Sequence, residues 1–133
     1  MNIYHKQQEQ KKILVVDDEH DITESCSIAL EYHGFEVDTF NDAQEALLNY
    51  RPDYYDLTIL DIKMPKMDGF KLYDEIKKKD HKAKICFFNA SELYYEKFRK
   101  REYDAIGKTT LFIQKPINTE ELIEEVNRII HSS

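Results

Sequence analysis

The chain has 133 residues, 41% of them hydrophobic, the size of a single domain that can bury a core without covalent staples. A formal net charge of −7, with 34% charged residues, argues against nucleic acid or anionic lipid as a direct partner. Cys26 and Cys86 lie far apart in amphipathic or apolar contexts, make no metal motif and read as buried free thiols.

The opening "MNIYHKQQEQKK" has no apolar centre of the kind a signal peptide carries, and nowhere is an apolar run long enough to span a bilayer. A polar tail over 1–11, a domain over 12–133 and a cytoplasmic location are expected. Residues 13–16, "ILVV", form an apolar run that suits a strand buried on both faces. From Ile22 the period changes: Ile22, Cys26, Ala29, Leu30 and His33 share one helical face, and Gly34 supplies a stop. "FEVDTF" at 35–40 alternates as a strand. Asp42 followed by Glu45 opens a helix through Ala46, Leu47 and Tyr50, which Pro52 closes. "LTIL" at 57–60 is the next buried strand, and Phe70, Tyr73 and Ile76 mark a third helix. Its end carries Lys77, Lys78 and Lys79, read as a solvated helix terminus. "KICFF" at 84–88 gives a fourth strand, 91–106 a less regular helical stripe, and "LFIQ" at 111–114 a fifth strand. Asn118 with Glu121 repeats the capping signature before a last amphipathic helix carrying Leu122, Val126, Ile129 and Ile130.

Five strand–helix alternations predict an α/β fold, a parallel sheet with helices on both faces. In such sheets the ligand crevice lies beyond the carboxyl ends of the strands, where the strand order switches. Strand one releases Asp17 and Asp18 there, strand three Asp61, strand four Asn89 and strand five Lys115. Like charges 4 Å apart repel by about 4 kcal/mol at an effective dielectric near 20, so crowded carboxylates need a compensating partner. A hard divalent cation is one, since Mg²⁺ takes carboxylate, water and phosphate oxygens. Lys115 adds a point charge for a phosphoryl oxygen. The set suits phosphoryl transfer onto a carboxylate, by positioning and charge neutralisation. Singly, acidic residues at strand ends are ordinary helix caps; their combination is not.

The sequence resembles the receiver domain of two-component response regulators from about Lys12 to Ile130. The resemblance is carried by "VVDDE" (15–19), "ILDIKMPKMDG" (59–69) and "QKP" (114–116). It implies a doubly wound, flavodoxin-like fold with five parallel strands in the order 2-1-3-4-5. It implies that Asp61 accepts a phosphoryl group from a histidine kinase. Asp18, Asp61 and the backbone carbonyl of Lys63 would ligate Mg²⁺, with Mn²⁺ as a substitute, and Asp17 would act largely through water. Lys115 would pair with the phosphoryl group across a cis Lys115–Pro116 bond. Met64–Pro65 and Asp68–Gly69 would shape the loop that seats Asp61.

Some positions depart from the family's pattern. Asn89 stands where Thr or Ser is usual, so phosphorylation is expected to couple less strongly to conformational change; Asn89→Thr should then enlarge the phosphate-dependent change. Phe112 matches the aromatic switch position but lacks the tyrosine hydroxyl, and a plain core aromatic would fit equally. The segment between Asn89 and Lys115 is longer than usual, which puts any inherited partner surface in doubt. "GKTT" at 107–110 is not a phosphate-binding loop, because it precedes a strand and lacks the upstream glycine.

The expected function is a phosphorylation-controlled switch acting through protein contacts with a downstream target, as a monomer or weak homodimer. No output module is read after Ser133. A carrier in a phosphorelay, or a receiver cut from a longer regulator, are the alternatives. A dedicated aspartyl-phosphate hydrolase is less favoured. Such enzymes use an acid two positions after the nucleophile, where this chain has Lys63; self-phosphorylation and slow autodephosphorylation are the most that is expected.

Overall fold

In the computed structural model the described residues are 10–89, 111–114 and 118–131. Five parallel strands, β1 (Lys12–Val16), β2 (Glu36–Phe40), β3 (Leu57–Asp61), β4 (Ile85–Asn89) and β5 (Leu111–Gln114), form one sheet in the order β2-β1-β3-β4-β5. The described helices are α1 (His20–Tyr32), α2 (Ala43–Asn49), α3 (Gly69–Lys79) and α4 (Thr119–Ile130). The predicted stripe over 91–106 lies outside the described residues.

The period of two along each inner strand divides the core into layers. Ile13 and Val15 of β1, Leu57 and Ile59 of β3, and Cys86 and Phe88 of β4 pack on one face. They meet Cys26, Ala29 and Leu30 of α1 and Leu122, Ile123, Val126 and Ile129 of α4. Leu14, Val16, Leu60, Ile85 and Phe87 point the other way, against Ala43 and Ala46 of α2 and Leu72, Tyr73 and Ile76 of α3. Burying such a Leu, Ile or Phe side chain contributes roughly 1.5–3 kcal/mol. β1 and β3 therefore read as mostly apolar runs, with Thr58 the one polar residue inside them, because both of their faces are covered. β2 is the sheet edge, and none of its residues is fully buried. Cys26 and Cys86 are buried free thiols, as expected.

Several helix ends follow the sequence signals. The Asp42 carboxylate accepts from the N–H groups of Gln44 (2.8 Å) and Glu45 (3.1 Å), and Asn118 accepts from Glu121 N–H (2.8 Å). α3 forms where its reading puts it: its inner face runs Gly69, Leu72, Tyr73 and Ile76, the half-buried Phe70 packs against the same core, and the first turn is pressed against the end of β3 through Gly69. All three terminal lysines also do more than meet solvent, Lys78 Nζ pairing with Glu75 Oε2 at 3.0 Å. Lys77 Nζ donates to Ala83 O (2.6 Å) and Lys79 Nζ to Leu47 O at the end of α2 (2.8 Å). Among the described residues no helix is long and apolar enough to cross a membrane.

Candidate functional site

The strand order reverses direction between β1 and β3: the chain leaves β1 for β2 on one side and returns to β3 on the other. Asp17 and Asp18 follow the last residue of β1, and Asp61 is the last residue of β3, so all three stand at the carboxyl side of that switch point. One oxygen from each carboxylate lies within 4.8 Å of the others. Asp17 is 1% exposed and Asp61 7%, whereas Asp18 faces solvent.

Local structure accounts for the placement. Asp17 N–H still joins the sheet, donating to Phe40 O (3.1 Å), and its Oδ1 accepts from Glu19 N–H (2.9 Å) just before α1 begins. That tight return lifts Asp18 out of the sheet and onto the rim. Beyond Asp61 the chain alternates: Ile62 and Met64 are buried, Lys63, Pro65 and Lys66 exposed. Met67 N–H donates to Pro65 O (2.7 Å) across Lys66, whose φ is +69°, and Gly69 N–H donates to Ile62 O (2.7 Å). The loop is thus folded back onto β3. Asp68, at the start of α3, accepts from Lys71 N–H (2.9 Å).

This donor set fits a hard divalent cation. It offers oxygen alone, two of the carboxylates are withdrawn from water, and the third leaves the rim open. An octahedral ion with bonds of about 2.1 Å spaces its ligands by roughly 3–4 Å, within the 4.8 Å that encloses the three carboxylate oxygens here. Gathering three carboxylates at one rim is costly, and a cation offsets it.

The other residues singled out from sequence are placed less fully. Asn89 ends β4 and pairs with Gln114, and Phe112 sits in β5 opposite Phe87. Lys63 occupies the loop after Asp61, with an exposed side chain. Lys115 and Pro116, with the cis bond expected between them, lie outside the described residues. Sequence reasoning gave no role to Asn41. Its side-chain Nδ2 donates to Asp17 O (2.8 Å) and to Thr23 Oγ1 (3.0 Å), contacts that only the assembled fold brings together.

Comparison with known proteins agrees with this geometry. Residues 13–127 match the family described as response regulator receiver domain. Response regulator SaeR of Staphylococcus aureus (strain USA300) is 32% identical over 122 residues, covering 89% of this chain and 50% of the relative. The chain spans about half the length of the curated relatives it matches. Among solved structures, the non-phosphorylated HemR receiver domain from Leptospira biflexa superposes with a TM-score of 0.79 at 30% identity. That match covers 93% of this chain and 97% of the other. Response regulator protein TrrA from Thermotoga maritima, crystallised in complex with Mg(2+)-BeF, gives a TM-score of 0.74 at 36% identity, over 90% and 99% of the two chains.

The chain belongs to the response regulator receiver domain family. Phosphorylation-controlled switching is the general function of that family, and its members bind Mg²⁺ at an acidic pocket and interact with histidine kinases and downstream effectors. The fold agrees with the expectation from sequence, strand order included.

Proposed function

We propose that Asp61 is the phosphoacceptor of this chain and that Asp17 and Asp18 complete its Mg²⁺ pocket. A carboxylate oxygen of Asp61 attacks the phosphorus of a phosphohistidine on a histidine kinase. A P–O bond forms as the P–N bond breaks, and the imidazole leaves with its nitrogen lone pair. The divalent cation supplies charge neutralisation for the carboxylates and the phosphoryl oxygens when bound. The chain's own part is positional. β1 and β3 hold the carboxylates at one rim, Ile62 and Met64 anchor the segment behind Asp61, and exposed Asp18 leaves the approach open. Lys115 is assigned to the transferred phosphoryl group, the carbonyl of Lys63 to the metal, and Asn89 and Phe112 to the response. Output then passes to a downstream protein through contacts that depend on the phosphorylated state.

The observation that carries this reading is the convergence of Asp17, Asp18 and Asp61 at the switch point of the sheet. Incubation with Mg²⁺ and an acyl phosphate or phosphoramidate donor, followed by intact mass measurement, tests it. One added phosphoryl group is expected, lost with a chelator and in Asp61→Ala. An unmodified wild-type protein, or modification that survives Asp61→Ala, would refute the reading.

A further inference from the structure

We propose that Asn41 is a positioning residue for the metal pocket, fixing the peptide that joins Asp17 to Asp18; this rests on the assignment of the acidic pocket made above. In a parallel ladder a strand carbonyl takes the next N–H of its neighbour. β2 ends at Phe40, whose carbonyl receives Asp17 N–H (3.1 Å), and the ladder runs out there. The Asn41 side chain continues it: Nδ2 donates to Asp17 O at 2.8 Å. That carbonyl belongs to the same peptide plane as the Asp18 nitrogen. Rotation of this plane would swing the Asp18 carboxylate across the rim, and the Asn41 bond opposes it.

The amide is itself oriented by two further contacts. Nδ2 also donates to Thr23 Oγ1 (3.0 Å), and the Thr23 hydroxyl donates to His20 O (3.0 Å) in the first turn of α1. Thr23 is 1% exposed, a polar side chain on an otherwise apolar helical face. On the opposite side, Asn41 Oδ1 faces His20 Nδ1 at 3.4 Å. The end of β1, the end of β2 and the start of α1 are thereby tied through one side chain. These partners lie 24, 18 and 21 residues away in sequence, so Asn41 is not capping its own turn. The other end of the Asp17–Glu19 bridge is held separately, by Glu19 N–H on Asp17 Oδ1 and by Ile22 and Thr23 N–H on Glu19 O. Asp18 lies between two fixed points, and Asn41 supplies one of them.

Calorimetric titration with MgCl₂ tests the assignment, with circular dichroism recording the fold of each variant. Groups that orient metal ligands through hydrogen bonds typically change metal affinity by about 10–100-fold when removed. Because Asn41 acts on one ligand of three, Asn41→Ala is expected at the low end, about tenfold weaker, in a protein that remains folded at the assay temperature. Thr23→Val leaves Asn41 its bond to Asp17 and is expected to weaken binding by less than the ~10-fold that marks loss of a direct orienting group. Wild-type affinity in folded Asn41→Ala would overturn the proposal while leaving the pocket assignment intact. Should Asn41→Ala not fold, Thr23→Val decides, and unchanged affinity there overturns it. Loss of Mg²⁺ binding in Asp18→Ala locates the measured binding at the pocket, and a wild-type protein that binds no Mg²⁺ refutes the pocket itself and this proposal with it.

Discussion

Gly69 and Gly34 are both glycines at helix boundaries, and they should respond very differently to a single methyl group. A Cβ placed on Gly69 would stand 2.2 Å from Asp61 O, 2.8 Å from Ile62 Cα and 3.0 Å from Asp61 C. All three are backbone atoms, so no side chain can rotate aside, and ordinary C···O contact requires about 1 Å more room. Either α3 lifts from the sheet, breaking the 2.7 Å bond from Gly69 N–H to Ile62 O, or the end of β3 shifts with Asp61 on it. Overpacking costs about 1–3 kcal/mol, and the upper end applies where only backbone can move. For a domain of this size that corresponds to a drop in Tm of roughly 10 °C. Gly34 has a φ of +92° and nothing within 4 Å of its would-be Cβ. Gly34→Ala should therefore cost only the left-handed backbone term, about 1–2 kcal/mol, and leave the Asp61 carboxylate in place. Thermal denaturation followed by circular dichroism, with phosphorylation measured beside it, distinguishes the pair. A Gly69→Ala protein that melts within 2–3 °C (about 1 kcal/mol) of wild type and is phosphorylated normally would refute the argument.

Three further outcomes follow from described contacts. The buried Asp80 carboxylate accepts from Tyr50 OH (2.9 Å) and Asp53 N–H (3.1 Å), so Tyr50→Phe should destabilise the fold by about 2 kcal/mol in urea unfolding, and no change would refute the network's role. Burial, then the bond to Asp38, pushes the Tyr55 phenol up to about 12, and burial with the Asp80 bond pushes Tyr50 higher still. Folding favours both phenols in neutral form, so their stabilisation is complete below pH ~10 and is lost as pH rises through ~12. Ultraviolet titration should resolve these late tyrosines from an earlier group, and a single transition near pH 10 would contradict the burial argument. Lys66→Gly relieves a positive φ of +69° in the loop after Asp61, and should raise stability by about 0.5–1 kcal/mol in the same unfolding assay; a loss would show that the Lys66 side chain contributes more than its backbone strain costs.

Much of this architecture is legible in the sequence because each signal is local. The apolar runs at 13–16 and 57–60 reveal inner strands, and a carboxylate after each places the crevice. Asp42 and Asn118 announce helix starts with their own side chains. The errors arise where tertiary contacts set the answer. Tyr50, read as helical, follows the last residue of α2, and its hydroxyl instead reaches Asp80. His33, which the period places on one face with Cys26 and Leu30, caps α1 on the surface, while Thr23, a polar residue, is buried and bonded to His20 and Asn41. The docking of Gly69 on β3 is an approach of two backbones that hydrophobic periodicity does not encode. Asn41 gave no local signal, since its partners are distant in the chain.

The most direct test of the central claim is to locate the phosphoryl group. Wild-type protein phosphorylated with Mg²⁺ and a small donor is reduced with borohydride, which converts an acyl phosphate to a stable alcohol, and the peptides are mapped. The account predicts one modified residue, Asp61. Modification at any other side chain, or none with metal and donor in excess, would contradict it.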